Sequence, residues 1–75
     1  MTDEKLLRKK IDESGYKIYF IAKQLGISYQ GLLNKMRNKS AFTAPEIQTL
    51  VDLLHFSEAD RNAIFFAQDV GRLPT

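Results

Sequence analysis

Apolar side chains recur along this chain at helical spacing. Ile18, Ile21, Ala22 and Leu25 stand at i, i+3, i+4 and i+7, and Ile47, Leu50, Val51 and Leu54 repeat the pattern. Each set lies on one face of a 3.6-residue helix. Leu7 and Ile11, helped by Leu6, make a first stripe, and Leu32 and Met36, with Leu33 on the same side, make a middle one. A last stripe takes Ala59, Ala63, Phe66, Ala67 and Val70 and leaves Ile64 and Phe65 outside it. The pattern predicts an all-α bundle of about five short helices.

Start and stop signals place their ends. Thr2 is expected to cap the first helix, with Asp3 and Glu4 in its first turn, where acids favour the helix dipole, and Gly15 ends it. Tyr16 is expected to plug a core gap between helices. Thr43, with Pro45 in the first turn and Glu46 three residues on, opens the fourth helix as a capping box, and His55 caps its C-terminus. Ser57 and Asp60 open a fifth helix from Glu58 to about Asp69, with residues 71–75 as a frayed tail. The second and third patterns are separated only by Gly26, Ile27 and Ser28. Such close helices must cross steeply, with small Ala22 where the backbones approach. Gly26 tolerates the positive φ of the turn, and the Ser28 hydroxyl caps the next helix. That arrangement is a helix-turn-helix.

The run I-A-x-x-L-G-I-S followed by Y-Q-G-L-L-N-K, Ile21 to Lys35, resembles the helix-turn-helix of small phage and bacterial repressors, the lambda-repressor/Cro-like group. The likeness covers about residues 5–56, and Lys35, the Asn38-Lys39 loop and Phe42-Thr43 before another helix extend it. One departure is Ile18, where many relatives carry a polar residue, often Gln. The resemblance implies that the motif's second helix, 29–37, enters the DNA major groove. Its first residues would touch base edges while the helix before it crosses the backbone.

Charge and face composition agree with that expectation. Residues 1–40 hold nine cations against four acids, whereas residues 41–75 hold Arg61 and Arg72 against five acids. No carboxylate occurs between Glu13 and Glu46, so nothing in that stretch repels phosphate. Winding the third helix at about 100° per residue gathers Gln30, Asn34 and Arg37 on one side, away from Leu32, Leu33 and Met36. Gly31 and Lys35 fall opposite the apolar stripe. Gln and Asn pair bidentately with adenine, and Lys and Arg with guanine or phosphate. Tyr29, Gln30 and Asn34 are the base-reading candidates, Tyr29 being equally placed to pack at the helix edge. Lys17, Tyr19, Ser28, Lys35, Arg37, Asn38 and Lys39 are the candidates for the DNA backbone.

Composition narrows the rest. Seventy-five residues make one domain, 1–75, near the size where burial becomes marginal. The chain has no cysteine and one histidine, and no acid–base pairing stands in a glycine-rich or metal-spaced setting. Neither an enzyme, a metal site nor a cofactor is expected. No apolar run approaches the roughly 20 residues of a membrane span, and no secretory signal pattern opens the chain, so a cytoplasmic protein is expected. The expected partner is double-stranded DNA, a palindromic operator bound by a homodimer joined through Ile64 and Phe65. The competing class is a protein–protein module, antitoxin-like or adaptor, on the same scaffold.

Overall fold

The structure, a computed structural model, describes residues 1–66. Five helices follow one another and no strand occurs among the described residues: α1 Glu4–Ser14, α2 Ile18–Leu25, α3 Tyr29–Met36, α4 Ala44–Leu54 and α5 Glu58–Phe65. The all-α expectation holds. Their apolar faces meet in one core of Leu7, Ile11, Ile21, Ala22, Leu32, Leu33, Met36, Leu50, Phe56, Ile64 and Phe65. α2 packs on α3 and α4, and α1 packs on α4 and α5.

The helix ends explain how so short a chain turns so often. Ser28 and Ser57 each accept the backbone N–H of the residue three ahead. Thr43 and Glu46 form the expected reciprocal box. The cap of α1 is one residue later than expected. Asp3, not Thr2, accepts the Leu6 N–H at 3.0 Å, because its carboxylate reaches the first turn while the Thr2 backbone is held elsewhere. Gly26 takes φ 75° and ends α2: its own N–H donates to Lys23 O, and the Ile27 N–H reaches back to Ala22 O. That double closure satisfies two carbonyls the helix would otherwise leave open.

α5 is turned differently from its predicted stripe. Ile64 and Phe65 are 0% and 4% exposed, whereas Ala59, Ala63 and Phe66 face outward. The expected dimer patch at Ile64 and Phe65 is therefore corrected: both belong to the protomer's core. Phe65 sets its ring against Phe42 and Phe56, at centroid distances of 5.5 and 6.5 Å. The reason is area. An Ile or Phe removes far more apolar surface from water than an Ala, at roughly 25 cal/mol per Å², so the large pair fixes the rotation. α5 ends at Phe65. The expected continuation to Asp69, with Ala67 and Val70, and the tail 71–75 lie outside the described residues. Tyr16 is a second correction. It stands 40% exposed and stacks on Phe20 at 5.1 Å, covering the α1–α2 corner from outside.

Candidate functional site

α3, eight residues long, carries its polar side chains on about two turns. Leu32, Leu33 and Met36 are buried, which aims the opposite side of this helix away from the core. Gln30 is exposed and Asn34 half-buried, and the Gln30 Nε2 donates to Asn34 Oδ1 at 3.1 Å. Arg37, the C-cap, shares their side within roughly 60° of arc. Tyr29 is 52% exposed. Although its azimuth is that of the apolar stripe, it sits in the first turn, and half of it reaches solvent. Ser28 uses its Oγ to accept the Gly31 N–H at 2.9 Å, and its own hydroxyl proton remains a donor. Gly31 has a local reason as well: a Cβ there would stand 3.0 Å from Ser28 Oγ and crowd the cap.

Two expected phosphate contacts have structural work instead. Lys35 does not project freely from α3. Its ammonium donates to Glu46 Oε1 at 2.8 Å and to the Ala41 carbonyl at 3.0 Å. Both side chains are largely covered, 16% and 14% exposed. The same Glu46 oxygen accepts the Thr43 N–H at 2.9 Å, so one carboxylate joins α3, the loop and the start of α4. Burial works to raise the Glu46 pKa, but the Lys35 and Thr43 hydrogen bonds and the Lys35 charge outweigh it and hold the carboxyl below its ordinary value. Asn38 is likewise committed. It stands at φ 65°, in the left-handed region that Asn tolerates among non-glycine residues. Its N–H donates to Lys35 O, and the next N–H, of Lys39, reaches Asn34 O at 2.8 Å, closing α3 as Gly26 closes α2. The Asn38 carboxamide then bonds both ways to Thr2, accepting its N–H and donating to its carbonyl, each at 2.9 Å.

No family model, curated protein or solved structure matches the chain. The site therefore stands on its own geometry.

Among the described residues, three ion pairs take up cations: Arg8–Glu4, Lys10–Asp60 and Lys35–Glu46. The Ser57 N–H bond is the largest of the interactions that lower the Asp60 pKa, with the Ser57 hydroxyl bond and Lys10 adding to it against a smaller opposing effect of burial. Lys5, Lys9, Lys17, Lys23, Arg37 and Lys39 make no such pair there, and all six are exposed. Lys17 is the N-cap of α2 without a side-chain cap bond, and Tyr19, in the first turn, is largely exposed. The arrangement offers hydrogen-bond donors and positive charge around the outer side of α3. Among the described residues no cluster of His, Cys, Asp or Glu is spaced to hold a metal, and no helix is long and apolar enough to cross a membrane.

Proposed function

We propose that this chain binds double-stranded DNA in a sequence-specific manner, as a small cytoplasmic transcriptional regulator of the phage or prophage kind. The observation that carries the reading is the outward side of α3. Gln30, Asn34 and Arg37 share it, exposed Tyr29 stands at its start, and no carboxylate lies within the 32 residues around it. In the lambda-repressor/Cro-like arrangement that the sequence resembles, α3 lies in the major groove as the second helix of the helix-turn-helix. Gln30 and Asn34 present amides that suit adenine N6 and N7. Arg37, Lys39, Lys17, Tyr19 and the Ser28 hydroxyl then take phosphate oxygens, which fix register without reading sequence. Lys35 and Asn38 act behind that face as supports. Regulation is by occupancy, with the bound domain blocking or recruiting polymerase.

One short helix reads few base pairs, so the operator-bound unit is a two-fold pair on half-sites about one helical turn, ~34 Å, apart. The competing reading, a protein-binding module using Ile64 and Phe65, loses its surface because those residues are core. Selection of bound duplexes from a random pool tests the proposal. Enrichment of a palindromic sequence whose binding weakens steeply with salt is expected, and a pool without any enriched sequence overturns it.

A further inference from the structure

The turn after α3 carries Arg37 and Lys39, and residues 37–41 are all exposed. Beneath it a cavity of about 180 Å³ opens between Thr2, Asn38, Phe42, Ile47 and Phe65, so the core does not press on Asn38 from below. The far end of the turn is fastened: the Lys35 ammonium holds the Ala41 carbonyl at 3.0 Å, and Phe42 sets its ring against Phe65. The near end is held across the chain by Thr2. Its N–H donates to Asn38 Oδ1 and its carbonyl accepts from Asn38 Nδ2, each at 2.9 Å. Thr2 is itself fixed from two helices. The next residue, Asp3, donates its N–H at 2.6 Å to the carbonyl of Ile64, a fully buried residue near the end of α5, and its carboxylate caps α1. Residues 2 and 3 thus tie the start of α1 and the end of α5 to the end of α3, whose main packing partner is α2.

We propose that Thr2 is a positioning residue for phosphate binding: through the Asn38 carboxamide it fixes the backbone from which Arg37 and Lys39 reach the DNA. The inference rests on the DNA reading above and adds to it a contribution from outside the helix-turn-helix. The φ of 65° at Asn38 would suit glycine at least as well. What asparagine adds is the pair of bonds to Thr2. Phosphate contacts set register, and a turn that must be ordered on binding loses affinity to that ordering. A turn already clasped avoids the loss. Because phosphates carry no sequence information, the clasp acts alike on every duplex and leaves base preference to α3.

Two variants of the full chain open the clasp without removing a cation. Asn38→Gly keeps the left-handed turn and deletes the carboxamide. Thr2→Pro deletes the N–H that Asn38 accepts and leaves α3 and its turn unaltered. Circular dichroism verifies the fold of each. The first readout is the backbone order parameter by nuclear magnetic resonance, without DNA. At Lys39 it should fall from about 0.85 to below about 0.6 in both variants, while Leu50, fully buried in α4, keeps the parent's value. Asn38→Asp, which still accepts the Thr2 N–H, should fall between. The second readout is duplex binding below the melting point. Both variants should bind selected and random sequences about tenfold more weakly, with preference at each base position unchanged. That loss should vanish in the Arg37→Ala/Lys39→Ala background, where nothing is left to position; a merely structural role would lower the melt and do neither. An unchanged order parameter at Lys39, or a loss that persists in the double background, overturns the proposal. So does a Thr2→Pro chain that binds like the parent while Asn38→Gly does not, because Asn38 would then touch phosphate itself. A parent that binds no duplex while both variants still loosen Lys39 removes the DNA reading and leaves the clasp.

Discussion

Replacing Lys35 by methionine separates two roles that a lysine on α3 can have. If Lys35 served phosphate, the substitution would lower DNA affinity and leave the fold untouched. The structure gives its ammonium to Glu46 and to the Ala41 carbonyl instead, in a setting where both partners are about one-seventh exposed. Removing it strands a covered carboxylate, and hydrogen bonds to charged groups are worth about 1.5–3 kcal/mol. A loss of roughly 2 kcal/mol corresponds to a melting point lower by about 8–16 °C in a domain of this size. Arg8→Met is the control. Its i,i+4 pair with Glu4 is more than a third exposed, and such pairs contribute only ~0.3–0.5 kcal/mol. Thermal melts by circular dichroism give the comparison, and salt titrations of DNA binding below both melting points complete it. Lys35→Met should melt far below Arg8→Met while the salt slope stays that of the parent. A melt close to the parent's, joined to a shallower slope, refutes the supporting role.

Acid should act on the same contact. The folded Glu46 carboxyl is held below its ordinary value, so its contribution is complete above that value and is lost as pH falls through the folded one. Glu46→Gln should therefore flatten the fall in melting temperature below about pH 4.5; an acid limb as steep as the parent's would mean other groups dominate it. Some acid sensitivity will persist through Asp60, which is lowered as well. Gln30→Ala should relax preference at one base position and cost about 1–3 kcal/mol on the selected site, and equal weakening on random DNA would take Gln30 off the reading face. Ala22→Leu puts a larger side chain into the buried side of α2, where that helix meets α3 and α4. Overpacking of roughly 1–3 kcal/mol should lower the melt sharply, and an unchanged melt would show spare room there.

The stripes of α1, α2 and α3 were legible because their buried positions, Leu7 and Ile11, Ile21 and Ala22, and Leu32, Leu33 and Met36, recur at helical intervals. α5 was not. Counting Ala59, Ala63 and Phe66 as equal to Ile64 and Phe65 gives a helix with two apolar sides, and periodicity cannot choose between them. Buried area does choose, and it puts Ile64 and Phe65 inside. Local caps were readable for the same reason that short polar motifs are: Ser28, Thr43 and Ser57 act within four residues. Asn38 had a readable half and a hidden half. Its tolerance of left-handed backbone suits the end of α3, but its bonds to Thr2 join positions 36 residues apart, and no local spacing announces them.

The cations show the same division and set a limit that can be measured. Nine stand in the first forty residues, and as a count they exaggerate what phosphate can use. Arg8 could be paired with Glu4 from their helical spacing. Lys35 and Lys10 find Glu46 and Asp60 only when α4 and α5 close on the earlier helices. Six exposed cations remain without an ion pair among the described residues, and they lie on more than one side of a small bundle, so a duplex meets only some of them. At about 0.9 counterion released per neutralised phosphate, the six together cap the logarithmic salt slope near 5 per protomer. Lys39→Ala should lower the observed slope by about one unit, because Lys39 directly follows the residue that closes α3 and its side chain is exposed. A parent slope well above that would draw on cations outside the six, with Arg61 and Arg72 available as well as the paired Arg8, Lys10 and Lys35. If Lys35→Met lowered the slope too, the separation between supporting and contacting lysines would fail.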